Sequence, residues 1–163
     1  MIMELTHFDE SGAARMVDVS GKEITMRTAI AEGTVAMEAE TLKLIRDKQV
    51  AKGDVLQIAR VAGIMASKKT ADLVPLCHPI PLEKAEVEFE FLDDTRLKIR
   101  AFTKTSSKTG VEMEALTAAM AAGLTVYDMC KAVDRGMEVG PFYLTEKTGG
   151  KSGHFERKAD DAS

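Results

Sequence analysis

Apolar and charged positions take turns between Glu86 and Ala101. Val87, Phe89 and Phe91 are interleaved with Glu86, Glu88 and Glu90, and Leu97, Ile99 and Ala101 with Lys98 and Arg100. A period of two over runs this short predicts two half-buried strands, joined by a turn at Asp93-Asp94. Matching their apolar faces requires an odd number of residues in the loop, which sets Glu90 opposite Lys98 and Glu88 opposite Arg100 and brings unlike charges together on the polar face.

A different pattern covers Thr109–Val133. From Ala115 to Tyr127 the chain carries no charge, a run long enough for a core helix and too short to span a bilayer. Its small and apolar residues favour helix and allow close approach on several sides. At ~100° per residue, Glu114, Thr117, Thr125, Asp128 and Lys131 fall on one narrow stripe.

The remaining elements are read the same way. Residues 24–37 are rich in β-branched side chains and predict a first strand, with Gly33 as a bulge. Glu40–Gln49 has helical spacing and Thr41 available as a cap. Val55 to about Lys69 has the spacing of a second helix, with Asp54 as its N-cap. Three prolines between Leu73 and Pro81 exclude a regular helix or central strand, leaving a rigid apolar loop around Cys77-His78. Met137–Glu146 predicts a last strand, in which Gly140-Pro141 marks an edge or a bulge. Lys147–Gly153 (KTGGKSG) lacks the first glycine of a phosphate loop and is expected to be a flexible flap. The charged residues 154–163 are expected to form a disordered tail. Strand, helices, strand, strand, helix, strand is the split βαβ order of an α+β, ferredoxin-like antiparallel sheet with helices packed on one face.

Composition narrows the class. The 163 residues are sized for one domain, expected over 1–153, and the 45% apolar content can fill a core. A formal charge of -4 argues against nucleic acid as partner. MIMELTHFDE at the N-terminus has no secretory pattern, and Cys77 and Cys130 make no disulfide framework, so a cytoplasmic protein without a membrane anchor is expected. Three His and two Cys without ligand spacing predict no metal site, and no cofactor is expected.

Candidate chemistry sits on the stripe and in the loops. Asp128 and Lys131, three residues apart, hold each other charged and are expected as a buried pair, although exposed pairs of this spacing are common. Lys52 precedes a helix start, where a cation suggests a bound anion but is by default solvated. His78 is as readily a packed structural histidine as a functional one. Asp18 reads as a turn residue. Lys104–Gly110 (KTSSKTG) would bring two lysines to the start of the central helix, a seat for phosphate. These features fit an acid–base enzyme or a non-enzymatic sensor of a phosphorylated small molecule. A buried Asp128–Lys131 pair favours the enzyme.

Six strings occur in order: MVDVS at 16–20, KGDV at 52–55, DLVPLCHP at 72–79, KTGVEMEALTAA at 108–119, YDMCKAV at 127–133 and GGKSG at 149–153. Together they resemble the molybdenum cofactor biosynthesis protein C family, the cyclic pyranopterin monophosphate synthases. The resemblance implies a lyase that converts 3',8-cyclo-7,8-dihydroguanosine 5'-triphosphate to cyclic pyranopterin monophosphate and releases pyrophosphate. It further implies a homohexamer, a trimer of dimers, with sites at the dimer interface. By position, Asp128, Lys131, Lys52 and His78 are implied to be catalytic, and Leu76, Cys77, His78, Glu112, Met113 and Glu114 to bind substrate. Because Glu114 and Asp128 lie ~21 Å apart along one helix, a site using both is expected to be shared between two subunits.

Overall fold

The computed structural model describes residues 7–158. In chain order the elements are β1 (Thr25–Ala36), α1 (Ala39–Arg46), α2 (Val55–Ser67), α3 (Thr70–Leu73), β2 (Lys84–Phe91), β3 (Arg96–Ser107), α4 (Glu112–Cys130), β4 (Glu138–Thr148) and β5 (Phe155–Glu156). The strands form one antiparallel sheet in the order β2-β3-β1-β4-β5. α2 and α4 pack on each other and on one face of that sheet, the α+β ferredoxin-like arrangement.

The hairpin register is as the alternation requires. Glu90 lies opposite Lys98 and Glu88 opposite Arg100. Arg100 pairs with Glu88 at 3.2 Å, whereas Lys98 turns to Glu32 on β1 at 3.1 Å. Odd-numbered residues of β1 and β3 (Ala29, Ala31, Val35; Leu97, Ile99, Ala101) face the helices and are buried. They meet an alanine-rich side of α4 formed by Ala115, Ala118, Ala119 and Ala122. Gly63 brings α2 close enough that an added Cβ would lie 2.7 Å from the Ala118 carbonyl oxygen.

The irregularity expected at Gly33 belongs to the partner strand. Register against β1 shifts twice, and each time β4 carries the extra residue, first at Thr145 and again at Gly140-Pro141. Gly33 is needed for a different reason: the Phe142 ring occupies the space its side chain would fill. The bulge at Thr145 has a consequence for side-chain direction. Lys147 lies opposite Ala29, on the helix side of the sheet, and Glu146 lies opposite Ile30, on the open side.

Asp54 caps α2, its carboxylate accepting from the Gln57 N–H at 3.3 Å. Thr41 does not cap α1. It lies inside the helix and donates to Asp134, whose carboxylate also accepts from the Glu38 and Gly136 N–H groups. A buried acid from beyond α4 thus supplies the negative charge that the α1 N-terminus favours. The segment expected as a flap is a turn that follows β4 directly. Gly149 and Gly150, both at positive φ, lie where a Cβ would strike the Met26 carbonyl or the Arg27 guanidinium. Where a disordered tail was expected, Phe155–Glu156 instead pairs with Glu146 and Lys147; residues 159–163 lie outside the described residues.

The ladder is interrupted at the β2 rim and along the part of β4 that the two-residue β5 leaves uncovered. Along β2, Arg60 of α2 donates to the Val87 carbonyl at 2.9 Å and lies over the Phe89 ring. Along β4, Pro141 removes a backbone donor. The outward faces of the helices are apolar: Ile58, Val61 and Met65 on α2, and Met113, Met120 and Leu124 on α4, are all exposed.

Candidate active site

Two buried threonines of β3 position one end of the site. Thr103 and Thr105 stand at inward positions, fully buried among aliphatic neighbours. Thr103 donates to the Val111 carbonyl at 3.1 Å, holding the start of α4, and Thr105 donates to the Pro81 carbonyl at 2.8 Å, holding the proline-rich loop. These ties place Cys77-His78 beside the first turn of α4. Leu76, Cys77, His78, Glu112, Met113 and Glu114 all line one cavity of about 430 Å³, closed on another side by Val17, Val19 and Lys22 from the N-terminal segment.

Within that cavity Glu112 forms an ion pair with Lys147 at 2.9 Å, and Lys147 also donates to Ser152. Glu114 is 3% exposed, and one of its carboxylate oxygens has no hydrogen-bond partner among the described residues. Burial, reinforced by the Glu112 charge, raises its pKa to about 7. It also borders a hollow of about 400 Å³ beneath α3 and Pro79–Pro81. The Cys77 thiol is pushed up by burial and then by Glu114, which suits a packing group better than a nucleophile. His78 Nε2 lies 2.8 Å from the Val17 carbonyl oxygen. Asp18 is a turn residue, accepting from the N–H and hydroxyl of Ser20.

The other end of α4 carries a second cluster. Lys131 Nζ lies 2.7 Å from Asp128 Oδ1, and Lys52 Nζ lies 3.5 Å from Oδ2 while donating to the Asp128 carbonyl at 2.8 Å. The hydrogen bond and charge of Lys131, followed by the charge of Lys52, lower the Asp128 pKa; Asp128 in turn raises that of Lys131. Lys52, Lys131, Tyr127 and Arg135 line a hollow of about 390 Å³.

Two expectations are corrected here. The Asp128 and Lys131 side chains are 57% and 53% exposed, so the pair is not buried. The polar stripe is covered only at its Glu114 end, because the loops pack over the start of α4 and leave its last turn open. The lysine-bearing segment before α4 is not a phosphate seat with two cations. Lys104 lies opposite Thr28 and Lys84 on the open face of the sheet, Lys108 donates to the Ser20 carbonyl, and the first turn of α4 carries Glu112 and Glu114.

Sequence reasoning overlooked Thr103, Thr105, Lys22 and the role of Lys147. The threonines did leave a signal, polar residues at positions whose neighbours in the alternation are buried. Lys147 left none, because the bulge that redirects it depends on tertiary packing. The described residues contain no group of three or more His, Cys, Asp or Glu that could hold a metal ion and no helix long and apolar enough to cross a membrane.

Comparison with known proteins identifies the family. The family profile described as MoaC family matches residues 16–150. The chain is 56% identical over 157 residues to a protein of Brevibacillus brevis named cyclic pyranopterin monophosphate synthase, covering 96% of this chain and 98% of that protein. Proteins of the same name from Desulfitobacterium hafniense and Thermomicrobium roseum are 57% and 59% identical, covering 96% and 98% of this chain and 96% of each relative. With a profile match over most of its length and relatives more than half identical to it, the chain belongs to the MoaC family.

Proposed function

We propose that this chain is a cyclic pyranopterin monophosphate synthase. It is a lyase of molybdenum cofactor biosynthesis that converts 3',8-cyclo-7,8-dihydroguanosine 5'-triphosphate to cyclic pyranopterin monophosphate and pyrophosphate. Identity above one half to proteins of that name, over nearly the whole chain, carries the reading. The cavity supports it: about 430 Å³ suits a small organic ligand, and its lining combines two carboxylates, two imidazoles and a lysine.

The reaction opens a ring, moves protons, closes a cyclic phosphate and expels a polyanion, so it requires poised acids and bases together with cations. Glu114, with a pKa of about 7, is able to take up or release a proton near neutrality. His78 and Glu112 stand in the same cavity as further proton carriers. Asp128 and Lys131 are the catalytic pair, with Lys52 beside them, and Leu76, Cys77 and Met113 supply the walls that hold the base portion of the substrate.

The two clusters lie ~21 Å apart on one straight helix, and the outward apolar residues of α2 and α4 form the kind of patch that marks an interface. We place the complete site between two subunits, the Glu114 end of one helix facing the Asp128 end of its neighbour, within a cytoplasmic homohexamer built as a trimer of dimers. Its single catalytic domain, expected over 1–153, takes in Phe155–Glu156 as well, which pair with β4. Incubating the purified protein with the cyclic triphosphate and measuring pyrophosphate tests the activity. Stoichiometric release supports it, and an unchanged substrate rejects it.

A further inference from the structure

The N-terminal segment crosses the cavity with little secondary structure of its own, yet its backbone is held from outside at two points. His78 Nε2 lies 2.8 Å from the Val17 carbonyl oxygen, and Lys108 Nζ donates to the Ser20 carbonyl at 2.8 Å. Between them Asp18 folds back on Ser20 through its side chain, and Val17 and Val19 are half-buried against the cavity. On its other side His78 is held by a loop pinned through Cys77 N–H to the Val74 carbonyl and through Thr105 to Pro81. The loop that carries the ring is thus tied down, and the ring itself is held at Nε2.

A backbone carbonyl can only accept a hydrogen bond. The His78 nitrogen facing Val17 must therefore be the donor, and a neutral imidazole has only one N–H. We propose that the Val17 carbonyl is a positioning group that fixes the tautomer of His78, so that the ring keeps its hydrogen on Nε2 and offers Nδ1 as its only acceptor. Any further proton the ring takes up then goes to Nδ1, in a cavity it shares with Cys77, Glu112, Glu114, Lys22 and His7. The N-terminal segment becomes part of the proton-transfer apparatus without contributing a side chain to it. A consequence for the reaction, that Nδ1 is the atom exchanging a proton with substrate, rests on the proposed role of His78; the tautomer itself does not.

The test is nitrogen-15 NMR of the full-length protein labelled at histidine, with the His78 signals assigned by difference using His7→Gln and His154→Gln, which leave His78 intact. The neutral ring is expected to show a protonated Nε2 and an unprotonated Nδ1; the opposite tautomer, or an even mixture, overturns the proposal. The carbon-13 shift of the Val17 carbonyl gives a second readout. In His78→Gln the side-chain amide reaches the position of Nε2, so the shift should stay close to wild type, whereas the shorter His78→Asn should move it away from the wild-type value as the hydrogen bond is lost. Equal shifts in the two variants overturn the hydrogen bond between His78 and Val17. Neither measurement uses turnover, so a protein that shows the tautomer but releases no pyrophosphate refutes the proposed function and leaves this inference standing.

Discussion

Glu114 is the residue whose environment departs furthest from what its type would choose: a carboxylate in an alanine-rich helix, only 3% exposed, with one oxygen unpartnered among the described residues. Its folded-state pKa of about 7 lies above its ordinary 4.5, so the folded protein holds the proton more tightly than the unfolded chain does. The stabilising contribution is complete below about pH 4.5, shrinks as pH rises towards 7 and is gone above it. Wild-type urea midpoints should therefore fall between pH 4.5 and 7 more than those of Glu114→Gln, and parallel curves would reject the shifted pKa. Lys131 is the opposite case. With more than half of its side chain exposed, Lys131→Ala should leave the melting temperature within a degree or two while abolishing turnover; wild-type product rates at saturating substrate would remove it from the mechanism. Such residues were named through strings shared with a family, whereas their surroundings were not legible. Helical spacing put Glu114 and Lys131 on one stripe, but the loops that bury only one end of it come from distant sequence.

Legibility at the level of elements followed how local the determinants are. The β2–β3 register was deduced because strand alternation and the intervening turn are contiguous, and Asp54 was recognised because an N-cap acts within three residues. The α1 cap escaped because its acid, Asp134, comes from beyond α4. Of the two bulges in β4, the one at Gly140-Pro141 was marked by its own residues, whereas the one at Thr145 escaped because no glycine or proline signals it. Thr103 and Thr105 belong to the same long-range class. Thr105→Val keeps the side-chain shape and removes the hydroxyl that holds Pro81, and should lower stability by about 1 kcal/mol while weakening substrate affinity as the Cys77-His78 loop loosens. Denaturant midpoints and KM measured on one preparation check both effects. A stability loss with unchanged KM would show that the threonine holds the fold and not the site.

For the whole molecule, the separation of the two charged clusters leads to a mixing experiment. Glu112→Ala and Asp128→Ala are each expected to be inactive. Combined under conditions that exchange subunits, they should regain part of the wild-type activity, because some interfaces then bring an intact Glu112 end against an intact Asp128 end. Mixtures that reassemble fully and stay inactive would place the site within one chain. The treatment of the sheet rims bears on the same association. Arg60 occupies the Val87 carbonyl along β2, and Pro141 interrupts the donors along β4. A strand from another molecule thus meets an interrupted ladder along β2, and on the other side a β5 of only two residues beside a β4 interrupted at Pro141, the usual protection against edge-to-edge growth. With lateral polymerisation closed off, self-recognition is left to the helical faces, where two-fold contacts saturate. Arg60→Ala should reopen the β2 rim, and its first symptom would be turbidity at high protein concentration rather than slower turnover.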